Sequence, residues 1–346
     1  MQFPGQGKPA IGVLFDSDIG NRIDALLALS LLYGLDGKSD VRLVSVSISK
    51  PNLKAAAFCD VMGNFYTSAV NPQFRAFFRG LPIGLASQGK LSEDTPMLTE
   101  VLAKKNADGA PLFPNGIKQL NDTADVNALL RNAFTAQHDQ NCIVVMAGPA
   151  TNLARLLDMP GIKDLITHKV RFLSVAAGAY PEGDPEFNIK TDIAAAKKLF
   201  AEWPGPIVAS GREIGEALPF PASSIEKDFA WSPAHPVVEA YRAYKTMPYD
   251  APTWDMSAVL YAARPQEGYF KLSEPGTIRV SDDGRTKFTP SADGKHRYLI
   301  LDPGQKERIT KAYTEIASAK PVARRPRFLQ QQKKEEDKKE EDKPKP

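Results

Sequence analysis

Cysteine is scarce in this chain, whose 346 residues include only Cys59 and Cys142. Both lie in apolar or helical surroundings, which argues against a disulfide framework and favours buried free thiols. Apolar runs long enough to span a membrane are also missing, so a membrane is not predicted as a partner. Residues 1–8 lack the basic-then-apolar pattern of a signal peptide. This favours a cytoplasmic protein, or a secreted or periplasmic one if a signal was removed before the numbering begins.

Neither sign of charge dominates, because 44 Lys and Arg residues stand against 41 Asp and Glu residues, giving a formal net charge of +3. No basic face stands out, which argues against nucleic acid as a partner. Hydrophobic residues make up 42% of the chain, as is typical of a soluble globular protein with a sizeable core. The four histidines have no metal-ligand spacing among themselves, and only His235 is kept as a weak candidate for a proton donor.

Strand-like and helix-like segments alternate along the first two thirds of the chain. Near-continuous apolar runs, typical of parallel strands buried on both faces, are found at 11–15, 41–49, 81–85, 141–147, 170–177 and 206–209. Helical patterns lie between them, beginning at 26–32 and continuing at 53–66, 125–137, 152–157 and 192–202. The alternation predicts an α/β fold with a mainly parallel, doubly wound sheet flanked by helices.

The last third of the chain has a different pattern. Residues 218–260 are rich in Pro, Trp and Tyr and are predicted to form a helical insertion or lid. Residues 277–301 contain the signal of a C-terminal β-hairpin, with Asp283-Gly284 at its turn, followed by a further strand. We therefore expect one α/β domain over residues 1–319. Residues 320–346 are first rich in Pro and Arg and then, from Lys333, charged and without apolar residues, and they are predicted to be a disordered tail.

Three aspartates, Asp16, Asp18 and Asp24, lie between the first predicted strand and the first predicted helix. Ligands bind at the carboxyl ends of strands in open α/β sheets. Clustered carboxylates repel one another unless a positive charge lies among them, and oxygen-only ligands favour Ca²⁺ or Mg²⁺. The alternative is an Asp-rich turn in which one aspartate caps the following helix.

Three later segments, 146–154, 178–196 and 252–258, change the balance between these alternatives. Together with the aspartates, their order and spacing resemble the nucleoside hydrolase family, the inosine/uridine-preferring N-ribohydrolases. The resemblance covers residues 11–275, and the first motif, Asp-x-Asp-Ile-Gly-Asn, is similar to that of a bacterial branch. It implies a mainly parallel sheet flanked by helices. It also implies an N-glycosyl hydrolase that cleaves ribonucleosides with one bound Ca²⁺.

The resemblance also implies a metal site. Asp18 and Asp255 would be Ca²⁺ ligands, and Thr151 would supply a backbone carbonyl. Asp24 would be the water-activating base or a displaced metal ligand, and Asp16 would support the site from behind the ligands. Such an ion would hold the attacking water and the ribose hydroxyls together, while carboxylates stabilise the positive charge that develops on the ribosyl ring.

The resemblance further implies a substrate pocket. Glu186 and Asn188 would bind the 5′-hydroxyl side of the ribose. Asn52 would take the place of an asparagine that contacts the ribose in many members, although the surrounding motif differs. Trp254 stands where several members carry a histidine, and it would stack on the base rather than donate a proton.

The first motif departs from the family pattern at two positions. In the bacterial branch we expect acidic residues at 22, 24 and 25, but this chain has Arg22 and Ala25 and keeps only Asp24. Loss of a bidentate ligand at Ala25 would weaken Ca²⁺ binding, and the guanidinium of Arg22 stays charged and offsets the negative field. These two residues place the activity in doubt.

Two functions follow from these patterns. The leading hypothesis is hydrolysis of the N-glycosidic bond of a nucleoside or related riboside, as in purine and pyrimidine salvage. The alternative is a catalytically weakened relative that binds a nucleoside or an anionic sugar without hydrolysing it, with Arg22 and Lys50 replacing the charge of the metal. Related hydrolases are often dimers or tetramers, so a homo-oligomer is expected.

Overall fold

A single sheet lies at the centre of the computed structural model, which describes residues 10–67 and 80–322. Within these ranges eleven strands join it: β1 Ile11–Ser17, β2 Val41–Ile48, β3 Ile83–Leu85, β4 Cys142–Ala147, β5 Val170–Ala176, β6 Glu182–Gly183, β7 Ile207–Ser210, β8 Lys271–Leu272, β9 Gly276–Val280, β10 Thr286–Pro290 and β11 His296–Ile300. Their order is β3-β2-β1-β4-β5-β7-β11-β9-β10-β6, and β8 pairs with β11.

The strands from β3 to β11 in this order pair in parallel, whereas β9, β10, β6 and β8 pair antiparallel. The chain runs from β1 outward to β2 and β3, and then crosses back to β4 on the other side of β1. The carboxyl ends of β1 and β4 therefore flank the point where strand order reverses, which is where open α/β sheets leave a crevice.

Helices cover both faces of the sheet. Their bounds are α1 Ile23–Gly37, α2 Leu53–Thr67, α3 Pro96–Ala103, α4 Val126–Thr135, α5 Thr151–Leu156, α6 Ile162–Lys169, α7 Phe187–Thr191, α8 Ile193–Glu202, α9 Arg212–Ala217, α10 Ala222–Lys227, α11 Pro236–Tyr244, α12 Trp254–Ala263 and α13 Lys306–Ala317. Along β1, Val13 and Phe15 point into a core shared with α1, α12 and α13, whereas Leu14 points into a core shared with α4, α5, α6 and α8. The fold is a three-layer α/β/α arrangement.

Helix α1 is buried on nearly all sides, because it packs against β2, α11, α12 and α13 rather than facing solvent. Helix α12 is buried in the same way, against α1, α9, β4 and β5. Its first residues fall within the segment 218–260, so this part of the predicted insertion belongs to the core. The rest of the segment contains two helices, α10 and α11, and the loops that flank them.

The predicted strand–helix alternation and the C-terminal hairpin are confirmed, with β9 and β10 joined at Asp283-Gly284. One boundary is different: β1 runs on to Ser17, so Asp16 lies inside the strand and not in the turn. Both cysteines are buried free thiols. None of the helices in the described ranges is long and apolar enough to cross a membrane. The charged tail predicted at 320–346 lies outside the described residues from 323 onward.

Candidate active site

Asp16 is fully buried near the carboxyl end of β1, where it joins two neighbouring elements. Its Oδ1 accepts a hydrogen bond from Oγ of Ser47 at 2.5 Å and another from Nδ2 of Asn152 at 2.8 Å. Oδ2 has no partner in the described part of the chain. Burial raises the pKa of this carboxyl to about 7, against the opposing effect of the two hydrogen bonds. Asp16 therefore ties β1 to β2 and α5 below the crevice.

Asp18 lies in the turn after β1 and connects to a buried lysine through Asn21. Nδ2 of Asn21 donates to Oδ2 of Asp18 at 2.8 Å, and Oδ1 of Asn21 accepts from Nζ of Lys50 at 2.6 Å. Lys50 has no exposed surface. Burial raises the pKa of Asp18 and lowers the pKa of Lys50. The positive charge of Lys50 counteracts the first shift, and the negative charge of Asp18 counteracts the second. The loop after β4 comes close to the same turn because Gly148 has no side chain: a Cβ there would lie 2.6 Å from the backbone nitrogen of Asp18.

Asp24 and Asp255 meet although 231 positions separate them in the chain. Asp24 lies in the first turn of α1, and its Oδ2 accepts a hydrogen bond from the backbone N–H of Asp255, in the first turn of α12, at 3.2 Å. Oδ1 of Asp24 is buried and has no hydrogen-bond partner within residues 10–67 and 80–322. Burial raises the pKa of Asp24 to about 6. Burial and the nearby carboxylates of Asp24 and Asp18 raise the pKa of Asp255 well above its usual value.

Arg22 precedes α1 and extends its guanidinium between two aromatic rings. Its Cζ lies 4.0 Å from the ring centroid of Phe187 and 4.6 Å from that of Trp254. Its Nη2 is 3.7 Å from Oε1 of Glu186. Burial lowers the pKa of Arg22, but the surrounding carboxylates, led by those of Asp24 and Asp255, outweigh it and raise the pKa. The guanidinium is therefore a fixed positive charge among the acidic groups.

Glu186 and Asn188 are positioned by the start of α7. Oε2 of Glu186 accepts from the backbone N–H groups of Gly178, Asn188 and Ile189, so this carboxylate caps the helix and leaves Oε1 toward Arg22. Nδ2 of Asn188 donates to the carbonyl of Ala176 at 2.7 Å, and its buried Oδ1 has no partner among the described residues. Oδ1 of Asn188 is thus free to meet a ligand, whereas Oε1 of Glu186 is paired with Arg22.

The side chains of two further predicted residues form hydrogen bonds, while the predicted role of the Thr151 backbone carbonyl stays a prediction. Oγ1 of Thr151, the first residue of α5, donates to Oδ2 of Asp192 at 2.7 Å. Nδ2 of Asn52 donates to the carbonyl of Ser92 and to Oδ1 of Asp94, both at 2.9 Å. The amide of Asn52 therefore orders the segment before α3, and its role in binding ribose stays a prediction.

A cavity of about 170 Å³ opens beside Asp24, between the starts of α1 and α12 and the end of α11. Its lining includes Arg22, Asp24, Tyr244, Lys245 and Trp254. The sequence analysis did not single out Tyr244, and the only signal for it is the abundance of Tyr and Trp in residues 218–260. His235 does not line this cavity.

His235 instead lies in an aromatic cluster, where Phe65, Phe229 and Trp231 surround its ring. Its Nδ1 accepts a hydrogen bond from the backbone N–H of Val237 at 3.2 Å, which caps α11. Burial lowers the pKa of His235 to about 3, so the ring is neutral at physiological pH. The weak proposal of His235 as a proton donor is not supported by this position.

The side chains as arranged do not fit a divalent cation. In the described parts of the chain, no three Asp, Glu, His or Cys side chains are grouped so that they could hold a metal ion. Ala25, fully buried in α1, offers no oxygen ligand, and Arg22 places a positive charge among the carboxylates. The calcium ligand set of Asp18, Asp24, Thr151 and Asp255 stays a prediction from the resemblance.

Comparison with known proteins identifies the family. The family model described as inosine-uridine preferring nucleoside hydrolase matches residues 13–320. A search of curated protein sequences gives no match. Among solved structures, a plant nucleoside hydrolase superposes with a TM-score of 0.65 at 19% identity, covering 90% of this chain and 100% of that one. A purine-preferring ribonucleoside hydrolase from Gardnerella vaginalis gives 0.63 at 16% identity, with 89% and 99% coverage. An inosine-uridine preferring nucleoside hydrolase from Bacillus anthracis gives 0.57 at 18% identity, with 89% and 99% coverage.

At these identities the structural neighbours establish the fold, and the family model, which spans most of the chain, establishes the family. The four segments that carried the resemblance all lie within the matched residues. This chain belongs to the inosine-uridine preferring nucleoside hydrolase family.

Proposed function

We propose that this protein hydrolyses the N-glycosidic bond of a ribonucleoside or a related riboside, with Asp24 as the base that activates the attacking water. The observation that carries the proposal is the free, buried Oδ1 of Asp24, which belongs to a side chain lining the 170 Å³ cavity. Family membership supports the same reaction class.

The protonation behaviour of Asp24 suits a general base. A base works best when its pKa is close to the working pH, because it is then both ionised and able to hold a proton. Burial raises the pKa of Asp24 to about 6, so the group is mostly ionised at neutral pH and more basic than an exposed aspartate. Its Oδ2 is fixed by the backbone of Asp255, which leaves Oδ1 to take a proton.

The charge of the site suits a sugar that becomes positive. Carboxyl groups outnumber basic groups in the charged cluster beside the cavity; the acidic members are Asp18, Asp24, Asp255 and Glu186, and the basic members are Arg22 and Lys50. Of these, Asp24 and Arg22 line the cavity itself, together with Asp250 and Lys245. Cleavage of a glycosidic bond passes through an oxocarbenium-like ribosyl cation, which a negative field stabilises. The same field disfavours an anionic sugar, so the proposed substrate is a neutral riboside.

The proposed reaction has one displacement. The oxygen of water bonds to C1′ of the ribose and gives its proton to Oδ1 of Asp24, while the C1′–N bond breaks and its electron pair stays on the departing base. That nitrogen then needs a proton. We assign the donor as Tyr244, which lines the same cavity and, as a tyrosine, carries a phenolic proton at neutral pH.

The test measures release of the free base from inosine, uridine, adenosine, guanosine and cytidine by chromatography. We expect release from at least one nucleoside, and we expect Asp24→Asn to reduce the rate by about 100-fold or more while the protein stays folded. Asp293→Asn, at an exposed aspartate in a distant turn, is the matched control and should keep the wild-type rate. Undiminished hydrolysis by Asp24→Asn would refute the role of Asp24.

A second candidate is binding without hydrolysis, and one observation favours it. The guanidinium of Arg22 occupies the space between the rings of Phe187 and Trp254, where the base of a nucleoside would stack. A weakened relative would bind a riboside, detected by calorimetry, and release no base from any of the five nucleosides. Arg22→Ala should then change the affinity while hydrolysis remains absent.

A further inference from the structure

We infer that this site operates without a divalent metal ion, and that Arg22 and Lys50 supply the positive charge that a metal ion would otherwise bring. The inference depends on the proposed function only in placing a riboside in the site.

Arg22 is held where its charge cannot leave the site. Its Cζ lies over the rings of Phe187 and Trp254, 4.0 and 4.6 Å from their centroids, and Oε1 of Glu186 lies 3.7 Å from Nη2. Cation–π contact with two rings and an ion pair with Glu186 hold the guanidinium in the site. A divalent ion among Asp18, Asp24 and Asp255 would meet a charge of the same sign beside it. Arg22 therefore competes with a metal ion for the same carboxylates.

Lys50 supplies the second charge, through Asn21 and Asp18. The lysine has no exposed surface, and a buried ammonium is stable only when it is paired or hydrogen-bonded. Nζ of Lys50 donates to Oδ1 of Asn21, and Nδ2 of Asn21 donates to Oδ2 of Asp18. This relay leaves Oδ2 of Asp18 already hydrogen-bonded and connects it through Asn21 to the ammonium group of Lys50. The fold thus provides Asp18 with a counterion of its own.

The oxygen atoms that remain are too few for a calcium site. Ca²⁺ takes six to eight oxygen ligands. Oδ2 of Asp24 is taken by the backbone N–H of Asp255, and the next residue, Ala25, is fully buried and has no oxygen in its side chain. In residues 10–67 and 80–322, no three side chains of the metal-binding types come together as a site. The lack of a ligand at Ala25 and the presence of Arg22 both disfavour the binding of Ca²⁺.

The experiment is a calorimetric titration of the full chain with Ca²⁺ and, separately, with Mg²⁺, after chelator treatment, together with elemental analysis of untreated protein. We expect no bound metal, no heat of binding, and a melting temperature that neither Ca²⁺ nor chelator changes. One equivalent of tightly bound Ca²⁺, with a melting temperature that falls on chelation, would overturn the inference.

A paired variant tests the cause. Arg22→Glu combined with Ala25→Asp removes the guanidinium and adds two carboxylates, and it should gain one equivalent of Ca²⁺ and a melting temperature that rises with added Ca²⁺. Asp293→Asn is the control and should resemble wild type. If the folded double variant binds no Ca²⁺, these two positions do not determine metal binding, and our explanation is wrong. If the double variant does not fold, the wild-type titration still decides the inference.

Nucleoside hydrolysis measured in the same samples separates the two proposals. Base release that is insensitive to chelator supports both the metal-free site and the proposed hydrolase. No base release and no bound metal supports the metal-free site and overturns the hydrolase. Base release that is lost on chelation, together with bound Ca²⁺, supports the hydrolase and overturns the metal-free site.

Discussion

Substitution of Asp16 should change how the stability of this protein depends on pH. Asp16 is fully buried in β1, and burial raises its pKa from 3.8 to about 7. Because the raised pKa belongs to the folded state, the folded protein binds this proton more tightly than the unfolded chain does. The stabilisation is complete below the unfolded pKa and is lost as the pH rises through the folded pKa, that is, between about pH 4 and pH 7.

The size of the effect follows from the two pKa values. A rise from 3.8 to about 7 corresponds to about 4 kcal/mol of unfolding free energy lost once Asp16 is ionised. Between pH 5 and pH 8 the loss through this group alone is about 2.5 kcal/mol. Asp16→Asn cannot ionise, and its carbonyl oxygen still accepts from Ser47 and Asn152. From pH 5 to pH 8 the unfolding free energy of both proteins is compared. The decrease for Asp16→Asn should be smaller than the decrease for wild type, by about 2.5 kcal/mol.

The assay is urea unfolding followed by circular dichroism at pH 5 and at pH 8, for wild type and Asp16→Asn. In Asp16→Asn an amide N–H₂ group is buried where Oδ2 of Asp16 lacked a partner, at a cost that is the same at both pH values. This cost cancels when the unfolding free energies at pH 5 and pH 8 are compared within each protein. Asp293→Asn should show the same dependence on pH as wild type. If Asp16→Asn is as sensitive to pH as wild type, Asp16 is already ionised at pH 5 and the argument from burial fails.

Three further predictions concern the site and the packing around it. Wild-type kcat/KM should rise with pH through about 6 as Asp24 loses its proton, and a profile that is flat from pH 5 to pH 8 would argue against Asp24 as the base. Tyr244→Phe should slow inosine hydrolysis by about 100-fold but leave hydrolysis of 4-nitrophenyl riboside almost unchanged, because that leaving group needs no proton; equal loss on both substrates would exclude Tyr244 as the donor. Gly34→Ala should lower the unfolding free energy by about 1–3 kcal/mol, because its Cβ would lie 2.0 Å from the carbonyl oxygen of Ile316. Gly37→Ala, where the same methyl meets no atom closer than 3.5 Å, is the control, and urea unfolding that does not separate the two variants would contradict this reading.

The arrangement of strands and helices was predictable because burial leaves a local pattern. Strands such as β4, whose six residues are all buried, read as continuous apolar runs. The hairpin was predictable from Asp283-Gly284, since this pair favours a tight turn. The extension of β1 over Asp16 was not predictable, because a carboxylate inside a strand depends on hydrogen bonds from Ser47 and Asn152, which come from distant parts of the chain.

The candidate site was predictable in its membership but not in its contacts. The resemblance named Asp18, Asp24 and Asp255, and in the structure the charges of Asp24 and Asp18 act on the carboxyl group of Asp255. The sequence identified Arg22 as a departure, yet its position between two aromatic rings depends on how α7 and α12 pack beside α1. Such side-chain contacts across distant segments have no signature in local composition or periodicity.

The hydrogen bond between Asp24 and Asp255 has a consequence for how the protein is made. It joins the beginning of α1 to the beginning of α12, 231 positions later, and Ser30 of α1 likewise bonds to the carbonyl of Ala317, at the end of α13. During synthesis from the N-terminus, the acidic residues after β1 are therefore exposed to the cell long before their partners exist. A chain shortened before α12 retains Asp18, Asp24 and Arg22 but lacks both Asp255 and Trp254. The complete site can therefore form only after nearly the whole chain has been made, so its formation is a late event in folding.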